Sequence, residues 1–210
     1  MYIPREFQVQ DHADLIEMLR RYPFSTVTSY NQGVLSASHV PLLYQDAPEP
    51  HLVGHLARAN PHWKSLDGTE VLVTFLGPDA YISPQWYGED FSVPTWNYLA
   101  VHVRGTCEVV ENIEGAVPII QDLLGRFESG ASAAWAAQLA QGPYQQMLAE
   151  IVGIRIRIES MEGKAKLGQN RSESSREGAI AGLRNSGGAG SDLVADLMEK
   201  TLDRNEPHGE

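Results

Sequence analysis

"IVGIRIRIES", residues 151–160, decides the fold of this chain. Ile154, Ile156 and Ile158 fall on one side of an extended backbone, and Arg155, Arg157 and Glu159 fall on the other, because successive side chains alternate across a strand. A helical period of 3.6 would scatter these two sets around the axis. A strand with one apolar and one charged face belongs to an antiparallel sheet that is covered on one side.

Working outward, the same kind of signal recurs. "FSTVTSYNQGVLSASHVPLLY" (24–44) alternates and breaks at Asn31-Gln32-Gly33, which predicts a hairpin with a glycine-assisted turn. "HLVGHL" (51–56), "EVLVTFL" (70–76) and "WNYLAVHVRGTCEVV" (96–110) read as further strands, the second as a buried one. "GPDAYISPQWYGEDFSVPT" (77–95) and "MEGKAKLGQNRS" (161–172) read as loops. Helices are expected over 12–22, capped by Asp11 and stopped by Pro23, and over 113–127, 143–150, 173–184 and 192–203. Pro118 is expected to delay or kink the second of these. "NPHWKSL" (60–66) looks like a helix start, with Asn60 as cap and Pro61 in the first turn. About six strands with few strand–helix–strand alternations favour an α+β, mainly β architecture, an antiparallel barrel with flanking helices. Residues 1–185 are expected to form that domain, and 186–210 a flexible joint, a helical extension and a disordered tail.

Composition removes several function classes. No stretch reaches the roughly 18–20 apolar residues of a membrane helix, and the first residues lack the basic-then-apolar pattern of a secretory signal. The single cysteine, Cys107, excludes a disulfide framework and a Cys-rich zinc module. A cytoplasmic protein is expected. The net charge of −11 opposes a surface that coats nucleic acid. From Arg155 to Arg184, however, seven basic residues face four acids, a local +3 on an acidic body. A patch of that size suits a compact anion better than a long polyanion.

The span 39–66 holds four histidines, Arg58 and Lys64. His51 and His55, four apart on a strand, lie about 13 Å from each other, too far for one metal ion, so no metal site is expected. Hydrogen-bonded, half-buried histidines explain His51 and His62, and compete for His39 and His55. "HLARANPHWK" offers Arg58 as a forked donor, the Asn60 amide, N–H groups at a helix start and Lys64, a combination that fits a phosphate monoester. Trp86, Tyr87, Trp96, Asn97 and Tyr98 could enclose a flat heterocycle, or be core. Lys164, Lys166, Gln169, Asn170 and Arg171 form a third polar cluster, or a solvated surface.

The motifs "MYIPREF" (1–7), "HVPLL" (39–43), "GHLARANPHWK" (54–64), "VLVTFLGPDAYISPQWY" (71–87), "VPTWNYLAVHVRG" (93–105) and "MEGKAKLGQNR" (161–171) resemble, in order, those of the PaiB family of FMN-binding negative transcriptional regulators. The resemblance implies an FMN-binding split β-barrel of the pyridoxamine-phosphate-oxidase type, a homodimer with flavin at the subunit interface. It places His39, His55, Arg58, Asn60 and Lys64 toward the phosphate, Trp96, Asn97 and Tyr98 near the ring, and Gln169, Asn170 and Arg171 at the rim or the partner subunit. Asp79 stands where a histidine is expected of the family, and Arg104 stands near another such position. Neither the charge nor "ESSREGAIAGLR" (173–184) makes a basic recognition helix, so DNA contact, if any, would come from the 155–184 segment. Two alternatives stay open. One is an FMN-dependent oxidoreductase, with His55, His102 and Tyr98 as first candidates for proton transfer. The other is a haem-binding relative.

Overall fold

In the computed structural model, residues 1–128 and 143–203 are described. Eight strands run β1 (Gln8–Val9), β2 (Phe24–Asn31), β3 (Val34–Pro41), β4 (Leu43–Gln45), β5 (His51–Ala57), β6 (Glu70–Ile82), β7 (Thr95–Val110) and β8 (Ile151–Lys166). The described helices are α1 (His12–Arg21), α2 (Ile113–Phe127), α3 (Pro143–Ala149), α4 (Glu173–Ser186) and α5 (Ser191–Asp203). The strands form an antiparallel sheet in the order β3-β2-β6-β7-β8-β5-β4, with β1 added to β8.

The alternation in 151–160 does what it promised. Val152, Ile154 and Ile156 are fully buried, while Arg155 and Arg157 are exposed. The hairpin β2–β3 closes through Gln32 (φ 49°) and Gly33 (φ 85°). Two left-handed residues in a row make the tight turn whose twist matches the strands.

Two strands extend beyond the sequence expectation. β8 continues through Met161 to Lys166, and β6 continues through Gly77-Pro78 to Ile82, where loops are read from the sequence. In β6 the buried positions change from odd (Val71, Val73, Phe75) to even (Ala80, Ile82). The glycine–proline pair marks where the alternation slips, and that slip disguises the strand. Pro118 sits inside α2, which begins at Ile113 on an Asn112 cap, so it delays nothing.

The chain divides into two compact units. One holds residues 15–75 and 102–161. Its core includes Val27, Leu52, Val73, Phe75, Val103 and Ile156, and α2 packs Ile119 and Leu123 on Leu43 and Val53. The other comprises 1–14, 76–101 and the chain from 162 onward. In it α5 buries Val194, Ala195 and Met198 completely, and α4 buries Ala179 and Leu183. Gly187 (φ 60°) and Gly190 (φ 79°) turn the chain between these helices. The disorder expected of the tail falls outside the described residues.

Candidate functional site

In the unit of residues 15–75 and 102–161, the 39–66 span is a hydrogen-bond network around His62. Its ring nitrogens lie 2.9 Å from Ser29 Oγ and 2.8 Å from Ser38 Oγ, and it is buried. Asn60 Oδ1 accepts from the His62 N–H (3.0 Å), and Asn60 Nδ2 donates to Ser38 Oγ (3.0 Å). The helix expected at Pro61 is a 3-10 turn of five residues, Pro61–Ser65. Asn60 caps it as expected, but so short a turn has no macrodipole to offer a phosphate. A concavity of about 460 Å³ opens here, lined by Val34, Ser36, Ala37, Asn60, Pro61, His62 and Ser65.

Arg58 departs from the free fork expected of it. Its Nε donates to Ala149 O (2.6 Å), its Nη2 to Ile151 O (2.9 Å) and Glu111 O (3.0 Å), and Nη1 lies 3.7 Å from the Glu111 carboxylate. The guanidinium clamps the entry of β8, with Nε and Nη2 spent on backbone carbonyls and Nη1 facing a carboxylate. Lys64 is exposed, with its ammonium 5.8 Å from the Trp63 ring centre. His39 is exposed on β3, its Nδ1 2.9 Å from Thr26 Oγ1. His55 on β5 is half-buried, and its Nδ1 has no partner. Burial holds both His55 and His62 below the ordinary imidazole pKa, which favours the neutral form of each.

In the other unit, Trp96 and Tyr98 stand two residues apart on β7 and therefore on one face. Trp96 is exposed and meets Tyr81 edge-on, ring centres 6.2 Å apart. Lys164 on β8 is buried, its ammonium 5.4 Å from the Tyr98 ring centre and 5.6 Å from that of Tyr2. Lys166 donates to Trp96 O (2.9 Å) and Thr95 Oγ1. Asn97 points to the interior, where Nδ2 meets Met198 Sδ of α5 (3.3 Å) and Oδ1 is left without a partner. Gln169 folds back on its own loop, accepting from Leu167 N and donating to Ala165 O, and Asn170 is exposed. Arg171 pairs with Glu89 (2.6 Å) and lies 4.6 Å from the Tyr87 ring centre. Hydrogen bonds from Ser175 and Ser92 hold the Glu89 carboxyl below its usual range. Trp86 belongs to the packing, since Cβ atoms on Gly178 and Gly182 of α4 would each come within 2.2 Å of it.

A flat anionic cofactor needs ring faces, cations and unspent polar atoms. Ring faces (Tyr81, Trp96, Tyr98) and two lysines that no ion pair reaches among the described residues stand in this second unit, whereas the orphan Asn97 Oδ1 faces the interior on the other side of β7. The residues present fit the group. Lys164 and Lys166 were legible as a cluster. The placement of Lys164 beside the Tyr2 and Tyr98 rings is hidden because Lys164 to Lys166 reads as a loop in sequence.

The arginines of segment 155–184 carry no spare charge for DNA, and Arg171 is paired with Glu89 as described. Arg155 faces Glu108 (3.5 Å), Arg157 faces Glu159 (2.6 Å), and Arg184 is shared by Asp192, Asp196 and Glu199. Arg176 turns inward to Met198 O and Thr201 Oγ1. Among the described residues, no group of three or more His, Cys, Asp or Glu could hold a metal ion, and no helix is long and apolar enough to cross a membrane.

An antiparallel split barrel with flanking helices is the architecture of flavin-binding split-barrel proteins. Its solved neighbours include the FAD and heme binding protein from Mycobacterium smegmatis (TM-score 0.60, 19% identity, 76% of this chain and 73% of that one). The flavocytochrome Anf3 from Azotobacter vinelandii is equally similar (TM-score 0.60, 14% identity, 78% and 72%). The family described as "Putative FMN-binding domain" matches residues 1–160. "Protease synthase and sporulation protein PAI 2" of Bacillus subtilis is 34% identical over 206 residues, covering 96% of this chain and 98% of that protein. The chain belongs to this family, the PaiB-type FMN-binding-domain proteins.

Proposed function

We propose that this chain binds FMN and acts in the cytoplasm as a homodimeric PaiB-type negative regulator of transcription, sensing flavin and acting on DNA indirectly. The observation that carries this reading is a similarity that spans both units, 34% over 96% of the chain, to a relative named for protease synthesis and sporulation. The exposed rings beside two lysines give a planar anion a place to bind. Trp96 and Tyr98 serve the ring, backed by Asn97 on the interior face of β7, with Gln169, Asn170 and Arg171 at the rim, and the family resemblance makes His39, His55, Asn60 and Lys64 the candidate phosphate set. Arg58 supports that set through the backbone. Indirect action follows from the engaged arginines of segment 155–184.

An absorption spectrum of the purified protein, alone and after adding FMN, tests the ligand. A bound flavin gives a band at about 450 nm, and a haem gives a Soret band at about 400 nm. Haem is the second reading, favoured by the neutral His55 imidazole with its unpartnered Nδ1, a form that ligates metals. Bleaching of bound flavin by NADH or NADPH with rapid turnover would instead make the chain an FMN-dependent oxidoreductase.

A further inference from the structure

We propose that Tyr81, Trp96 and Tyr98 with Lys164 and Lys166 form a seat for a planar anion, and that through it the chain holds reduced, anionic FMN more tightly than oxidised FMN. The proposal rests on the flavin reading above and names which state of the ligand the site prefers. Trp96 and Tyr98 share a face of β7, and Lys164 and Lys166 share a face of the neighbouring β8. The two faces are the same one, because the Lys164 ammonium lies 5.4 Å from the Tyr98 ring centre. Trp96 (53%) and Tyr81 (46%) leave much of their rings in water although they touch each other.

The charges are the less ordinary part. Lys164 is only 8% exposed, and its ammonium has a carbonyl, Tyr2 O at 3.3 Å, and two ring faces for company. Lys166 is held below the usual lysine range by burial and then by Lys164 itself. Among the described residues no ion pair reaches either lysine, and Glu162, two residues from Lys164 along β8, holds the N-terminal ammonium of Met1 (2.8 Å). A buried cation without a counter-charge is costly, and an arriving anion removes that cost.

Oxidised isoalloxazine is uncharged. Two electrons and two protons give the dihydro form, which loses the N1 proton near neutral pH and carries its negative charge at N1 and the adjacent carbonyl. Charge placed near that edge tunes a flavin. Two ammonium groups therefore stabilise the reduced ligand far more than the oxidised one, while the rings serve both.

The test is anaerobic titration of FMN, oxidised or reduced by dithionite, into the full chain, K166M, K166R and K164M, read by equilibrium dialysis. Lys166 is only partly buried, so K166M is expected to fold, and a melting curve checks each variant. Reduced FMN should bind the natural chain about tenfold more tightly than oxidised FMN. K166M should cut that ratio severalfold with little change for the oxidised form, and K166R should keep it. Equal affinity for both forms, or a ratio unmoved in K166M, overturns the seat and leaves the flavin reading standing. Failure of the natural chain to bind either form overturns both.

Discussion

His62 shows how one residue type can mislead at the sequence level and still be decisive in the fold. It lies among histidines that invite a ligand role, yet Ser29 and Ser38 occupy both its nitrogens. Burial keeps its folded pKa, and that of His55, below the ordinary value of about 6.5. Above that pH both states are neutral and the network contributes fully. As pH falls below it, the unfolded chain takes up protons that the folded chain refuses, so stability is lost toward the lower folded pKa. Thermal melts from pH 7.5 to 5 should show this decline, and H62Q with H55Q should flatten it. A slope equal to that of the natural chain would show that these imidazoles do not titrate on unfolding. Arg58 makes the complementary point. The sequence supplies a forked cation beside a capping asparagine, and Asn60 is legible because its partner is two residues away. The partners of Arg58 are carbonyls about ninety residues on, which no local pattern reveals. R58M should therefore destabilise the fold by about 2 kcal/mol, reduced from the charged-bond range for its partial exposure. Its FMN affinity per folded molecule should change less than about threefold. Denaturant melts and titrations on the same sample separate the two effects.

At the scale of elements, what can be read is what repeats every two residues. The segment 151–160 and the β2–β3 hairpin are legible because alternation and turn chemistry agree. The distal halves of β6 and β8 are hidden because Gly77-Pro78 and Gly163 interrupt the pattern while the backbone stays extended. Helix α4 is legible as a helix, but its purpose is not. "ESSREGAIAGLR" looks weakly basic, yet Arg176 is buried and Gly178 and Gly182 form a groove that receives Trp86. An alanine methyl at Gly182 would stand 2.2 Å from the Trp86 ring. Helix propensity favours alanine over glycine by up to about 1 kcal/mol, but overpacking of this kind typically costs about 1–3 kcal/mol. The clash falls on three atoms of a rigid indole ring rather than on the end of a flexible side chain, so overpacking wins. G182A should lower the melting temperature by several degrees, whereas G125A, where a Cβ meets nothing, should leave it unchanged or raise it.

For the whole molecule, charge and exposed apolar surface point to different partners. A body at −11 whose arginines in 155–184 are matched by their own carboxylates or turned inward has little with which to release counterions from DNA. Flavin-loaded protein should leave DNA unretarded at about 0.15 M salt. Tight, specific retardation would show that direct contact, against the charge argument, carries the regulation. The apolar surface is another matter. Phe91 is 95% exposed on a loop pinned by the Arg171–Glu89 pair and Ser175, and Val93, Leu76 and Tyr2 are exposed in the same unit. Holding a phenylalanine in water on a braced loop is unfavourable unless something covers it. A second copy of the chain offers its own Phe91 loop as the cover, since self-complementary pairing of two copies is the commonest assembly of soluble proteins. Light scattering at micromolar concentration should give twice the 23.1 kDa chain mass, and F91E should shift it toward the single-chain mass without lowering the melting temperature of the isolated chain. A natural chain that scatters as a monomer with FMN bound would remove the dimer from the proposed function and leave the flavin site to be built from one chain.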